Sequence, residues 1–227
     1  MDVASVDEVL RKLTDKANAA NAAGMARYGM SAEGRLGVCV PDLRKLAKET
    51  GKDHALALAL WQTGIEEARI VAAMVDDPRQ LSEQQMEQWA LDMHSWDVCD
   101  QVCMNLFEKS PLAWKKIRDW SVRAEPFVKR SAFALIACLA WHDKQAEDRL
   151  FLGVLDVIES GCTDERNFVK KAVNWALRNI GKRNAALNQA ALECARRIQR
   201  LDSKSARWIA SDALRELEGE SVQKRLR

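Results

Sequence analysis

Two segments of this 227-residue chain echo each other, Phe127-Val128-Lys129-Arg130-Ser131-Ala132-Phe133-Ala134-Leu135 and Phe168-Val169-Lys170-Lys171-Ala172-Val173-Asn174-Trp175-Ala176-Leu177. Their starts lie 41 positions apart. That period suits a pair of helices stacked repeatedly, because each pair buries its apolar face only against its neighbours. Weaker echoes occur at Ser205-Ala206-Arg207-Trp208-Ile209-Ala210-Ser211-Asp212-Ala213-Leu214 and at Glu67-Ala68-Arg69-Ile70-Val71-Ala72-Ala73. The expected fold is all-α, an α-solenoid of helical repeats forming one domain over 1–227, with a frayed tail over 219–227.

Composition narrows the class. Hydrophobic residues make up 48% and charged residues 30%, which excludes a disordered or fibrous chain. No apolar run approaches the roughly 20 residues of a membrane span. The start, Met1-Asp2-Val3-Ala4-Ser5-Val6-Asp7-Glu8, lacks the basic head and apolar core of a signal peptide, so a cytoplasmic location is the default expectation. The six cysteines are scattered apart from Cys99 and Cys103, and they read as small core residues rather than a disulfide framework. Cys99 and Cys103 stand near His94, but no second ligand pair occurs at a metal-site spacing, and no metal is expected.

The net charge of +2 hides an asymmetry. Residues 1–110 hold 12 Lys+Arg against 18 Asp+Glu, whereas residues 111–227 hold 23 against 15. The basic second half suggests an anionic partner; the plainer reading is a solvated surface.

Punctuation divides the chain into about a dozen helices. Val40-Pro41 opens one over residues 40–47, and Leu56–Trp61 and Glu66–Val75 flank Gly64. Ser82-Glu83-Gln84-Gln85 reads as a capping box. Ser95 is the candidate cap of a helix over Trp96–Glu108, and Ser110-Pro111 and Glu125-Pro126 start two more. Asp164 is the candidate cap of a helix through Trp175 that Gly181 stops. A last pair covers about 184–200 and 203–217.

Two constellations stand out. Lys171, Trp175, Arg178 and Lys182 recur at helical spacing, and from Arg166 to Arg183 there are six basic residues and no acidic one. Cations there hold phosphates while the indole packs on a sugar or base; alternatively Trp175 packs on a neighbouring repeat and the lysines are solvated. In Trp96-Asp97-Val98-Cys99-Asp100, Trp96 and Asp100 share one helical face while Val98, Val102 and Leu106 form the apolar one. A carboxylate beside an indole is poorly solvated, and Arg130 is the candidate cation to hold it ionised. The alternative is that Asp97 or Asp100 merely favours the helix dipole. Phosphate-loop, nucleophile-elbow and zincin motifs are absent from the sequence.

These residues carry a resemblance. From about Val40-Pro41-Asp42-Leu43-Arg44 to Asp212-Ala213-Leu214-Arg215 the chain resembles the DNA alkylation repair family, AlkD-like DNA glycosylases built from HEAT-like repeats. The most specific pieces are Trp96 to Asp100, Phe127 to Arg130, and Phe168 to Arg178. The resemblance implies a concave basic face binding duplex DNA with N3- or N7-alkylated purines. Asp100 is then the catalytic carboxylate, and Arg130 orients it or meets a phosphate. Trp96 and Trp175 pack on the lesion's deoxyribose and backbone. Lys129, Lys170, Lys171, Arg178, Lys182 and Arg183 are the implied DNA contacts. The implied activity is hydrolysis of the N-glycosidic bond without a cofactor. Separately, a solenoid with capped ends can work as a monomer, which is the expected state. Two alternatives remain: a catalytically silent binder of damaged or branched DNA, and a protein-protein adaptor.

Overall fold

The computed structural model describes residues 5–30 and 34–226. Met1-Asp2-Val3-Ala4, read above as part of the chain start, and Arg227, the last residue of the tail, lie outside the described residues. All regular structure among the described residues is helical, and none of the helices is long and apolar enough to cross a membrane. The chain divides into two compact units, Met1–Ser110 and Pro111–Arg227.

The first unit contains α1 (Val6–Thr14), α2 (Ala19–Met25), α3 (Val40–Thr50), α4 (His54–Gln62), α5 (Glu66–Val75), α6 (Glu83–Asp92) and α7 (Trp96–Asn105). Ser5, Asn18, Asp53 and Ser82 cap α1, α2, α4 and α6 by accepting the otherwise unpaired amide of the residue three positions on. Helix α5 packs against α3, α4 and α7, and its small residues Ala68, Ala72 and Ala73 are fully buried in those contacts. Trp61 and Trp89 stack in the core with centroids 4.0 Å apart. Glu67, 1% exposed, accepts the amides of Leu36 at 3.0 Å and Gly37 at 2.7 Å, fixing the segment before α3. Gly37 there has φ 76°, and a Cβ would stand 2.1 Å from the Asn18 carbonyl oxygen, so only glycine fits.

The second unit contains α8 (Ala113–Ser121), α9 (Pro126–His142), α10 (Asp148–Leu152), α11 (Leu155–Gly161), α12 (Asn167–Gly181), α13 (Ala185–Gln199), α14 (Lys204–Leu217) and α15 (Glu220–Leu226). Three pairs recur, α8 with α9, α11 with α12, and α13 with α14, and the row α9, α12, α14 is in continuous contact. Every residue of α9 from Ser131 to Ala140 is buried, because α8 and α12 both cover that helix.

Several expectations change. The helix after Ser95 stops at Asn105, and a 3₁₀ turn over Phe107–Lys109 succeeds it, which lets Leu106 and Phe107 both turn into the core. The Ser110-Pro111 helix begins at Ala113. Asp164 stands three residues before α12, where its carboxylate binds cations instead of capping. The tail from Gly219 is not frayed over its described residues: α15 buries Val222, and Gln223 donates to the Leu217 carbonyl at 2.7 Å and to Asn188 Oδ1 at 3.1 Å.

Candidate functional site

In the first unit the candidate site is the opening of α7. Ser95 occupies the N-cap position, but its hydroxyl makes no cap bond. Instead it joins Arg35 and Asp97. The Arg35 guanidinium, on a side chain 1% exposed, donates to Asp97 Oδ2 at 2.8 Å, Asp97 Oδ1 at 2.7 Å and Ser95 Oγ at 2.8 Å. This fork locks the first turn, where Asp97 also meets the positive end of the helix dipole. Glu66 lies in the same electrostatic neighbourhood: burial pushes its carboxyl up, and Arg35 and Arg69 only partly offset that.

Trp96 and Asp100 stand on the same helix as this clamp. Trp96 is half-buried, and its indole Nε1 donates to the Tyr28 carbonyl at 3.0 Å. Asp100, one turn later, is also half-buried, while Val98, Val102 and Leu106 are fully buried, as their spacing predicts. Cys99 and Cys103 are buried on the core side of the helix and form no disulfide. An indole and a carboxylate are thus presented together on the face opposite the core.

In the second unit the sequence-predicted cations divide by what they touch. Lys129 pairs with Asp164 at 3.0 Å. Burial pushes the Asp164 carboxyl up, but the bonds from Arg166 and Lys129 outweigh it and bring the pKa down to about 2. Arg130, 5% exposed, donates to the Phe168 carbonyl and so ties α9 to the start of α12. Lys170 sits 5.2 Å from the Trp208 ring centroid, a cation–π distance, and Lys171 is exposed. Arg178 and Lys182 both bind Glu216 of α14, Lys182 at 2.9 Å. Burial pushes Glu216 up, and those two cations reverse the direction and hold it below the usual carboxylate range.

Arg183 has a structural task. It donates to the carbonyls of Ala140 at 2.9 Å, Asp143 at 2.8 Å and Ala146 at 3.2 Å, closing the C-terminus of α9, and it lies over the Phe151 ring. Half-buried Trp175 faces a groove of about 580 Å³ that also exposes Trp141, Lys144, Lys182, Arg183 and Arg225. Sequence reasoning misses Trp141, Lys144 and Arg225. The available signal is a tryptophan closing an apolar helix just before His142-Asp143-Lys144. A second groove, of about 300 Å³, lies in the first unit beside Arg44, Lys48 and Lys52; the first two are one turn apart on α3.

Residues 9–217 match the DNA alkylation repair enzyme family. The chain belongs to that family. Among solved structures it is similar to one described as "A new family of proteins related to the HEAT-like repeat DNA glycosylases with affinity for branched DNA structures". The two are 18% identical, the match covers 98% of this chain and 96% of that one, and the TM-score is 0.80. At that identity the likeness shows the fold, the HEAT-like helical one that the repeat period and the resemblance both led us to expect. A designed armadillo repeat protein matches at 20% identity over 78% of this chain and 92% of its own, with a TM-score of only 0.35. No curated protein sequence matches the chain. In this DNA alkylation repair family member, then, a Trp–Asp pair and a cation-bearing helix stand on separate compact units.

Proposed function

We propose that the chain is a DNA glycosylase that hydrolyses the N-glycosidic bond of cationic N3- or N7-alkylated purines in duplex DNA. The observation that carries this reading is the presentation of Trp96 and Asp100 one turn apart on α7, behind the Arg35 clamp, in a chain of the DNA alkylation repair enzyme family.

The chemistry suits so sparse a site. An alkylated purine already bears a positive charge, so its departure needs no general acid. The remaining task is to stabilise the oxocarbenium-like sugar and position water, which one carboxylate does. A carboxylate about 4 Å from a unit positive charge gains about 4 kcal/mol at an effective dielectric near 20. Half of that corresponds to more than tenfold in rate. Asp100 supplies the carboxylate and Trp96 packs on the deoxyribose. In the second unit Trp175 contacts the DNA backbone and Lys170 and Lys171 meet phosphates, while buried Arg130 positions the start of α12 through the Phe168 carbonyl in place of the phosphate contact that the resemblance implies. Lys129, Arg178 and Lys182 reach DNA by exchanging a carboxylate for a phosphate. Arg183, just past α12, contributes from its position against the C-terminus of α9.

A second reading, binding of damaged or branched DNA without catalysis, draws support from the fold neighbour described as having affinity for branched DNA. Base release measured beside DNA binding separates the two.

A further inference from the structure

The groove beside Trp175 has chemistry that duplex binding does not use. Trp141, at the end of α9, is 55% exposed, with His142 as a ring neighbour at a centroid distance of 5.0 Å. Exposing so large an apolar ring is unfavourable unless a ligand covers it. Lys144 and Arg225 are exposed on the same groove, and neither has an ion-pair partner among the described residues. The acidic residue on its lining, Glu216, is bound by Arg178 and Lys182. The lining is therefore net positive and aromatic, and its volume of about 580 Å³ lies within the range of small-ligand sites.

We propose that this groove takes an unpaired nucleotide of a DNA strand, with the base stacked on Trp141 and its flanking phosphates on Lys144 and Arg225. A base inside a duplex has both faces covered by its neighbours and is held by its pair, so an indole flanked by cations takes in only one that is unpaired or extruded. Cations that balance no carboxylate gain most from a phosphate. The inference rests on the DNA-binding half of the function proposed above and not on its catalytic half.

The test is the affinity of the full chain for a blunt duplex and for the same duplex carrying a short oligothymidine overhang, read by fluorescence anisotropy. The overhang is expected to tighten binding about tenfold, Trp141→Ala to abolish that gain without weakening blunt-duplex binding, and Trp141→Phe to keep most of it. Replacing Lys144 and Arg225 together by Ala is expected to flatten the salt slope for overhang DNA by roughly 1.4. The inference is overturned if the overhang adds nothing, if Trp141→Ala leaves the gain intact, or if neither DNA binds. It is also overturned if thymidine monophosphate alone binds as tightly as the overhang DNA, since the site then serves a free nucleotide. A chain that shows the gain but releases no alkylated base keeps this groove and loses only the glycosylase reading.

Discussion

Phe127 and Phe168, the first residues of the two echoed segments, lie with ring centroids 5.7 Å apart and planes inclined by 30°. The sequence period is thus realised as a direct contact between equivalent positions of successive repeats. Other contacts recur at a separation of 38: Arg130 to the Phe168 carbonyl, Asn174 to Asp212, and Arg178 to Glu216. A helical repeat gains stability by this nearest-neighbour pairing. We expect Phe127→Leu and Phe168→Leu to be non-additive by about 1 kcal/mol in a double-mutant cycle of urea unfolding. Strict additivity would mean that the rings do not couple.

Arg35→Met removes the buried partner of Asp97 and leaves Glu66 with one cation fewer. The expected cost is about 3 kcal/mol, as for breaking other buried pairs. At this chain length that corresponds to a fall in Tm of roughly 6–12 °C by calorimetry. An unchanged Tm would show that the fork does not hold α7.

Asp164 sets an acid dependence. Its carboxyl titrates near 2 in the folded chain against an ordinary value of 3.8, so its contribution is present above about pH 3.8 and is lost as the pH falls through about 2. Asp164→Asn should therefore be less stable than wild type at neutral pH. Urea midpoints of the two should converge as the pH drops from about 4 to 2. A gap that stays constant across that window would show that the lysine and arginine do not hold this carboxyl down.

Only Cys39 of the six thiols is exposed, and burial pushes Cys194 up to about 12. Since the thiolate is the reactive form, mass spectrometry after brief treatment with a thiol reagent should find one modified cysteine in the native protein and all six after unfolding. Fast native labelling of Cys99 or Cys103 would reveal an opening of α7 that the packing does not anticipate.

Much of the second unit is legible in the residues. Pro126 and Gly181 mark where α9 begins and α12 ends, and Asn184 and Ser203 cap α13 and α14 just where the last pair is expected. Short helices α10 and α11 escape notice because each spans too few residues to display a period. Ser95 and Asp164 have the residue types of caps, but Arg35, 60 positions from Ser95, and Lys129, 35 positions from Asp164, compete for their oxygens, and local sequence does not reveal such partners. The basic stripe of α12 is visible as a stripe, yet the carboxylates that meet it, Asp212 and Glu216, arrive from the next repeat. Trp96 and Asp100 are legible as sharing a face because their neighbours Val98 and Val102 define the opposite one.

Release of base from duplex DNA carrying 7-methylguanine decides whether Asp100 serves as a glycosylase carboxylate, with wild type and Asp100→Asn compared at equal DNA occupancy. Wild type is expected to release the base, and the variant to lose at least about tenfold in rate, equivalent to roughly 1.4 kcal/mol. Bound DNA with no release by wild type, or equal release by both proteins, would overturn that assignment.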